Sequence, residues 1–221
     1  METMNSLRKV LWFGSDYDRG LNGKKVLMWG YHKPKNIENN STNNPEYDAN
    51  FKKFAKRIRS FFNFNSIDEF INRITYVNLC NVNKKVKSEI PDLITELEPD
   101  IVISCGVNLR DDILKPNNII EEADLAKITI YTDGGENLIN EEEKYIYKKE
   151  MKGRPYIVLN IFSLAYNFGD DSNIFDGNKL CLFMSICLDN NIYDKIIKNE
   201  PIKIKAERTD DDKLFNLTLL T

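Results

Sequence analysis

Polar side chains follow three apolar runs of the sequence, at the points where each run ends. The first run, residues 26–29, ends in a glycine and opens a loop with the only histidine among the 221 residues. An imidazole in such a loop either stabilises a developing anion or donates to a phosphate, unless it simply faces solvent. The residues of this loop that suit a ligand are Gly30, Tyr31, His32 and Lys33.

Amide and hydroxyl side chains end the other two runs. Asn78 follows residues 75–77, and Asn160 and Ser163 lie at the end of the run 156–161. A carboxamide carries one acceptor oxygen and two donor hydrogens, so Asn78 matches the edge of a nucleobase or else caps a turn. Asn160 and Ser163 suit a base, a phosphate or a cap. Tyr31 is the aromatic residue best placed to stack on an extruded base.

The elements that must position these residues alternate along the chain. Apolar runs predict strands at 26–29, 75–80, 100–106, 127–132 and 156–161, and 3.6-residue periodicity predicts helices at 51–62, 66–74, 86–97 and 180–197. This order predicts a three-layer α/β fold, with a central, mostly parallel sheet of four to five strands and helices on both faces. Ligands of such sheets bind beyond the carboxyl ends of the strands, so the three polar groups are expected to converge there. Residues 202–205 and 214–220 are expected to pair as edge strands.

The helix predicted at 51–62 has one apolar and one basic face. Its cations either follow a DNA backbone or form an ordinary solvated helix face. The basic residues expected to contact a backbone are Lys52, Lys53, Lys56 and Arg57.

Composition narrows the class of protein. The chain carries 31 basic and 34 acidic residues and is 42% hydrophobic, which favours one globular domain over residues 1–221, with a core at 24–198 and a C-terminal appendage at 199–221. Four cysteines without Cys-x-x-Cys spacing and a single histidine argue against a structural zinc site, and no cofactor is expected.

The first residues lack the apolar core of a signal peptide, and no run reaches the roughly 20 apolar residues of a membrane span. A cytoplasmic protein without membrane contact is expected.

In the order of its segments, the chain resembles the uracil-DNA glycosylase superfamily over residues 24–170. Residues 25–30 are similar to the family's first strand and glycine-opened catalytic loop, and residues 74–79 to its second strand, which ends in a base-reading asparagine. Residues 98–106 match its Pro-Asp, apolar run and glycine, and residues 155–163 lie where the family has its last strand and His-Pro-Ser loop. The resemblance implies a DNA-repair hydrolase that acts on a nucleobase in DNA or on a nucleotide. His32 would stabilise charge, Asn78 would read the base and Ser163 would contact phosphate.

The chain departs from the family at two catalytic positions. No carboxylate follows Gly30 before Glu38, and Asn160 or Ile161 stands where the last loop supplies a histidine. Loss of both groups removes several kcal/mol of transition-state stabilisation, because one oxyanion donor alone contributes about 3 kcal/mol. These departures favour an alternative, a catalytically inactive nucleotide- or DNA-binding module in a defence or regulatory system. A different doubly wound enzyme would need Glu38, Glu46 or Asp133 in the crevice.

Overall fold

The computed structural model describes residues 11–30, 55–56, 64–78, 90–105, 114–132, 137–161, 174–208 and 215–220, and for 78, 143, 174–180 and 208 the backbone alone. Ten strands and five α-helices occur in these ranges. The strands are β1 (Leu11–Phe13), β2 (Val26–Gly30), β3 (Ile74–Asn78), β4 (Ile101–Cys105), β5 (Ile128–Thr132), β6 (Asn137–Ile139), β7 (Ile146–Met151), β8 (Arg154–Ile161), β9 (Ile202–Arg208) and β10 (Phe215–Leu220). The helices are α1 (Ile67–Asn72), α2 (Ile90–Leu97), α3 (Asn140–Glu143), α4 (Ile174–Leu188) and α5 (Asn190–Ile197).

The larger sheet is mixed, with six strands in the order β1-β3-β2-β4-β8-β7. The neighbours β3, β2, β4 and β8 run parallel, whereas β1 and β7 pair antiparallel at the two edges. The expected α/β class is therefore confirmed, but the sheet has more strands than the four to five predicted. Short antiparallel edge strands such as β1 carry too few residues for a periodic signal, which is why the sequence did not indicate its place.

Alternate residues of the parallel strands belong to two separate hydrophobic clusters. One cluster joins Leu27, Trp29, Val102 and Val158 to the buried side of α2, and we call this side of the sheet the α2 face. The other cluster contains the intervening residues of the same strands, together with residues of α1, α4 and α5. This alternation follows from the two-residue period of a strand.

A second sheet of four strands, in the order β10-β9-β5-β6, is the largest departure from the expected fold. The run 127–132 was predicted as a strand of the central sheet, but β5 pairs with β9 in parallel and with β6 antiparallel. That prediction was wrong because an apolar run identifies a strand without identifying its partners. The predicted pairing of the two C-terminal strands is confirmed, since β9 and β10 are antiparallel neighbours. Of the two, only β10 is an edge strand as expected, because β9 also pairs with β5.

Two helix ends show how local hydrogen bonds set boundaries. The predicted capping box is present, because Ser66 Oγ accepts from the Glu69 amide at 3.0 Å. The same helix was predicted to include Ile74, which instead begins β3. The single helix predicted at 180–197 is two helices, since the Asp189 carboxylate accepts from the amides of Asn191 and Ile192 at 2.9 and 3.0 Å and starts α5.

Asn140 is a buried hydrogen-bond hub between β5 and β7. Its side-chain nitrogen donates to the carbonyls of Ala126 and Ile146, both at 2.7 Å, and its oxygen accepts from the amides of Tyr145 and Ile146 at 3.1 and 2.8 Å. Only 2% of the residue is exposed. Both donors and both acceptor positions of the carboxamide are therefore satisfied.

We expect Asn140→Ala to lower the free energy of unfolding by about 3 kcal/mol, because buried backbone groups lose their partners. Asn137→Ala, at an exposed position of β6, is the matched control and should change stability by less than about 0.5 kcal/mol. Urea unfolding of both variants measures the difference. Equal effects would show that Asn140 contributes no more than a surface asparagine.

Candidate functional site

The carboxyl ends of the parallel strands meet at one edge of the larger sheet, as the sequence predicted. Gly30 at the end of β2 stands opposite Asn78 on one side and Cys105 on the other. Asn160 lies one register row further in, opposite Ser104. The structure thus brings the backbones of Gly30, Asn78 and Asn160 to the same edge, in two adjacent rows.

Most residues of the predicted loops and of the basic helix face fall outside the described ranges. Lys56 is described, and it is helical and exposed, while its neighbour Ala55 is buried in the core. This pair matches the two faces predicted for the helix at 51–62. The predicted site residues that lie outside the described ranges are Tyr31, His32, Lys33, Lys52, Lys53, Arg57 and Ser163.

Gly30 is required by the packing of its neighbour. A methyl group placed on its Cα would overlap the hydroxyl oxygen of Tyr76 and would lie 3.0 Å from ring atom Cζ. The Tyr76 ring is only 3% exposed, so it has little room to move away. The sequence analysis placed Gly30 at the opening of a loop. In the structure, Gly30 leaves space for Tyr76 of β3 near the strand ends.

We expect Gly30→Ala to lower the free energy of unfolding by about 1–3 kcal/mol, as overpacking of a tight core does. Because the closest overlap is with the hydroxyl, Tyr76→Phe should cost less in the Gly30→Ala background than in the native chain. A double-mutant cycle by thermal unfolding measures this coupling. Strict additivity would mean that the two residues do not compete for space.

A row of buried polar atoms lies at the carboxyl edge on the α2 face. Trp29, Ser104 and Asn160 occupy one register row across β2, β4 and β8, and we call them the polar row. Trp29 and Ser104 are fully buried, and 9% of Asn160 is exposed. Trp29 Nε1, Ser104 Oγ and Asn160 Oδ1 have no hydrogen-bond partner in the described part of the chain. Thr75 Oγ1 is likewise unpartnered there; it lies in the next row of the same face, two residues nearer the amino end of the strands.

The polar row contrasts with Asn140, where the same fold satisfies a buried carboxamide completely. A buried polar atom without a partner costs about 1–3 kcal/mol, so native proteins carry few of them. Six such side-chain atoms occur in the described residues, and four of them lie in two adjacent rows of one face. Three of the four belong to the polar row, which lies next to the edge where α/β folds bind ligands.

Sequence reasoning found Asn160 but missed Ser104, and it assigned Trp29 to the core without noticing its ring nitrogen. The signal for Ser104 was a hydroxyl inside a strand that is otherwise apolar and buried along its whole length. The three groups differ in what they can offer a ligand. The indole N–H of Trp29 only donates, the Ser104 hydroxyl donates and accepts, and the amide oxygen of Asn160 only accepts.

We expect Ser104→Ala to raise the free energy of unfolding by about 1 kcal/mol, because it removes an unpartnered buried hydroxyl. Ser185→Ala is the matched control, and it should lower stability by about 1 kcal/mol because Ser185 Oγ donates to the Cys181 carbonyl at 2.8 Å. Urea unfolding of both variants tests the pair. Equal destabilisation would show that the Ser104 hydroxyl has a structural partner.

Charged groups concentrate instead at the amino edge of the same strands. Arg154 pairs with Glu98 at 3.0 Å and with Asp100 at 3.2 Å. Burial, reinforced by the negative charge of Asp100 and opposed by Arg154, raises the pKa of both the Tyr17 and the Tyr193 hydroxyl well above the ordinary range. The described residues contain no cluster of ligands suited to a metal ion. Among the described residues, the side chains in the last two register rows of the parallel strands are neutral, whereas the amino edge carries ion pairs.

A scan against protein-family models and a search of curated proteins found no match to this chain. The resemblance to the uracil-DNA glycosylase superfamily therefore stays a prediction. No helix of the described residues combines the length and apolar character needed to cross a bilayer. The described residues define an α/β protein with a row of unpartnered buried polar atoms next to the carboxyl edge of four parallel strands.

Proposed function

We propose that this chain binds a nucleobase or nucleotide at the carboxyl ends of its parallel strands, on a glycosylase-like three-layer scaffold with helices on both faces of the sheet. The observation that carries the proposal is the polar row. Base edges present closely spaced donors and acceptors, and Trp29, Ser104 and Asn160 offer unpartnered groups of both kinds side by side. The two hydrophobic clusters on alternate strand residues support the three-layer arrangement.

Binding without bond cleavage is the form of this function that the described residues favour. The last two register rows of the four parallel strands contain amide, hydroxyl, indole, thiol and aliphatic side chains, and neither a carboxylate nor a histidine. Such rows recognise a base through neutral hydrogen bonds, whereas hydrolysis of a glycosidic bond needs stabilisation of charge on both the base and the sugar.

We also propose a cytoplasmic location, on the evidence of one buried thiol. Cys187 is fully buried and forms no disulfide, and burial raises the pKa of its thiol far above its usual range. An inert, protonated thiol of this kind suits a reducing environment such as the cytoplasm.

Binding is tested by calorimetry of the full chain with the five common nucleobases and their 5′-monophosphates. We expect one base class to bind, and Asn160→Leu to weaken its binding about tenfold or more, since a recognition hydrogen bond is lost and its partner on the base is left unsatisfied. Ser185→Ala is the control, because it removes a hydroxyl from α4 beside Asn22, which precedes β2 at the opposite edge of the sheet. The proposal fails if none of the ligands binds, or if Asn160→Leu binds as tightly as the native chain.

The same samples decide between binding and hydrolysis. Incubation with uracil-containing DNA, followed by chromatography for free base, should leave the substrate intact. Release of uracil that depends on His32 would make the chain a glycosylase and would overturn the proposed absence of chemistry, while leaving base binding in place.

A further inference from the structure

The second sheet has one buried and one open face. On the buried side, Ile128, Ile130, Ile202 and Ile204 are at most 3% exposed and belong to the main core cluster. The intervening residues form two rows on the opposite side, which we call the outer face. The first row is Asn137, Tyr131, Lys205 and Thr218, and the second is Ile139, Thr129, Lys203 and Leu220.

The outer face combines an aromatic ring with cations. Tyr131 is half-buried and stands between Asn137 and Lys205 in its row. Lys203 and Lys205 are exposed, and so is Lys127, which precedes β5 on the same side. Lys205 pairs with Glu207, the acidic residue that follows it on this face of β9. Among the described residues of this face, three lysines against one glutamate make a locally basic surface on a chain whose net charge is −3.

We propose that the outer face of the second sheet binds single-stranded nucleic acid, with a base stacked on Tyr131 and phosphates held by Lys127, Lys203 and Lys205. Strands lie about 4.8 Å apart and alternate residues about 6.7 Å apart along a strand, so a base on Tyr131 lies beside both lysines of β9. Aromatic platforms flanked by cations recognise single strands because every base has a stacking face and every nucleotide a negative charge.

The composition of the two rows favours this partner over other anionic ones. Between the cations lie the amide of Asn137 and the hydroxyls of Thr129 and Thr218, which can hydrogen-bond base edges or sugars. An anionic membrane needs basic residues with apolar groups that enter the bilayer, and the only large apolar side chain more than one-third exposed on these two rows is Leu220 at 39%. A nucleic-acid duplex leaves no unstacked base for Tyr131.

Stacking is tested with a fluorescent single-stranded oligothymidylate of about 12 nucleotides, followed by anisotropy with the full chain. We expect Tyr131→Ala to weaken binding about tenfold or more and Tyr131→Phe to retain it, because phenylalanine keeps the ring. Thermal unfolding of each variant verifies that the sheet is intact. The proposal is wrong if Tyr131→Ala binds like the native chain, or if duplex DNA binds as tightly as the single strand.

The electrostatic part is tested through salt dependence. Lys203→Gln with Lys205→Gln should reduce the slope of log affinity against log salt by about 0.7 for each phosphate that a lysine no longer neutralises. Lys152→Gln with Lys198→Gln removes the same charge from exposed positions outside the second sheet and should leave the slope unchanged. Equal effects of the two pairs would mean nonspecific attraction and would overturn the proposal.

Two further controls identify the surface and the partner. Asn160→Leu distinguishes the two sheets, because the polar row belongs to the other one: loss of oligothymidylate binding in Asn160→Leu but not in Tyr131→Ala would place the oligonucleotide at the polar row and overturn the proposal. The two proposals can fail separately. Loss of base binding at the polar row does not affect the outer face, and loss of oligonucleotide binding at the outer face does not affect the polar row. Binding to phosphatidylserine vesicles that is insensitive to Tyr131→Ala, without binding of the oligonucleotide, would replace nucleic acid by a membrane surface.

Discussion

Asp100 holds the amino ends of three parallel strands in register. Its carboxylate accepts from the Lys25 amide at 2.8 Å and from Arg154 at 3.2 Å, while its own amide donates to the Lys25 carbonyl at 2.9 Å. Its carbonyl accepts from the Ile157 amide at 2.9 Å. One residue therefore joins the starts of β2, β4 and β8. A slip of one position would move every alternate side chain to the opposite face, so this junction decides that Trp29, Ser104 and Asn160 share a row.

The two edges of the larger sheet differ in how far their polar groups are satisfied. At the amino edge, carboxylates, cations and backbone groups satisfy one another around Asp100 and Arg154. At the carboxyl edge, polar atoms of the polar row stay unpartnered within the described residues. Proteins tolerate unsatisfied groups where function needs them and compensate elsewhere in the structure. The network at the amino edge stabilises the same strands that carry the polar row.

The sequence predicted what depends on local pattern and failed where partners are distant. The apolar runs located β2, β3, β4 and β8 to within a few residues, and the Ser66 capping box was correct, since both signals lie within one segment. The assignment of β5 to the central sheet failed because its partner β9 lies some seventy residues later in the chain. The sequence analysis missed Ser104, because a hydroxyl in a buried strand does not indicate a site until its register neighbours Trp29 and Asn160 are known.

Asn140 and Asn160 show why burial of a polar residue does not by itself indicate function. Both are buried carboxamides next to β7 or β8, yet Asn140 uses all its hydrogen-bonding capacity on backbone groups, and Asn160 Oδ1 has no partner in the described part of the chain. The first is explained completely by the fold that it joins. The second leaves its side-chain oxygen without a partner there, in the same register row as an indole N–H and a hydroxyl in the same condition. Three adjacent strands contribute one such group each, so it is the register of the strands, and not the choice of any one side chain, that brings these groups together.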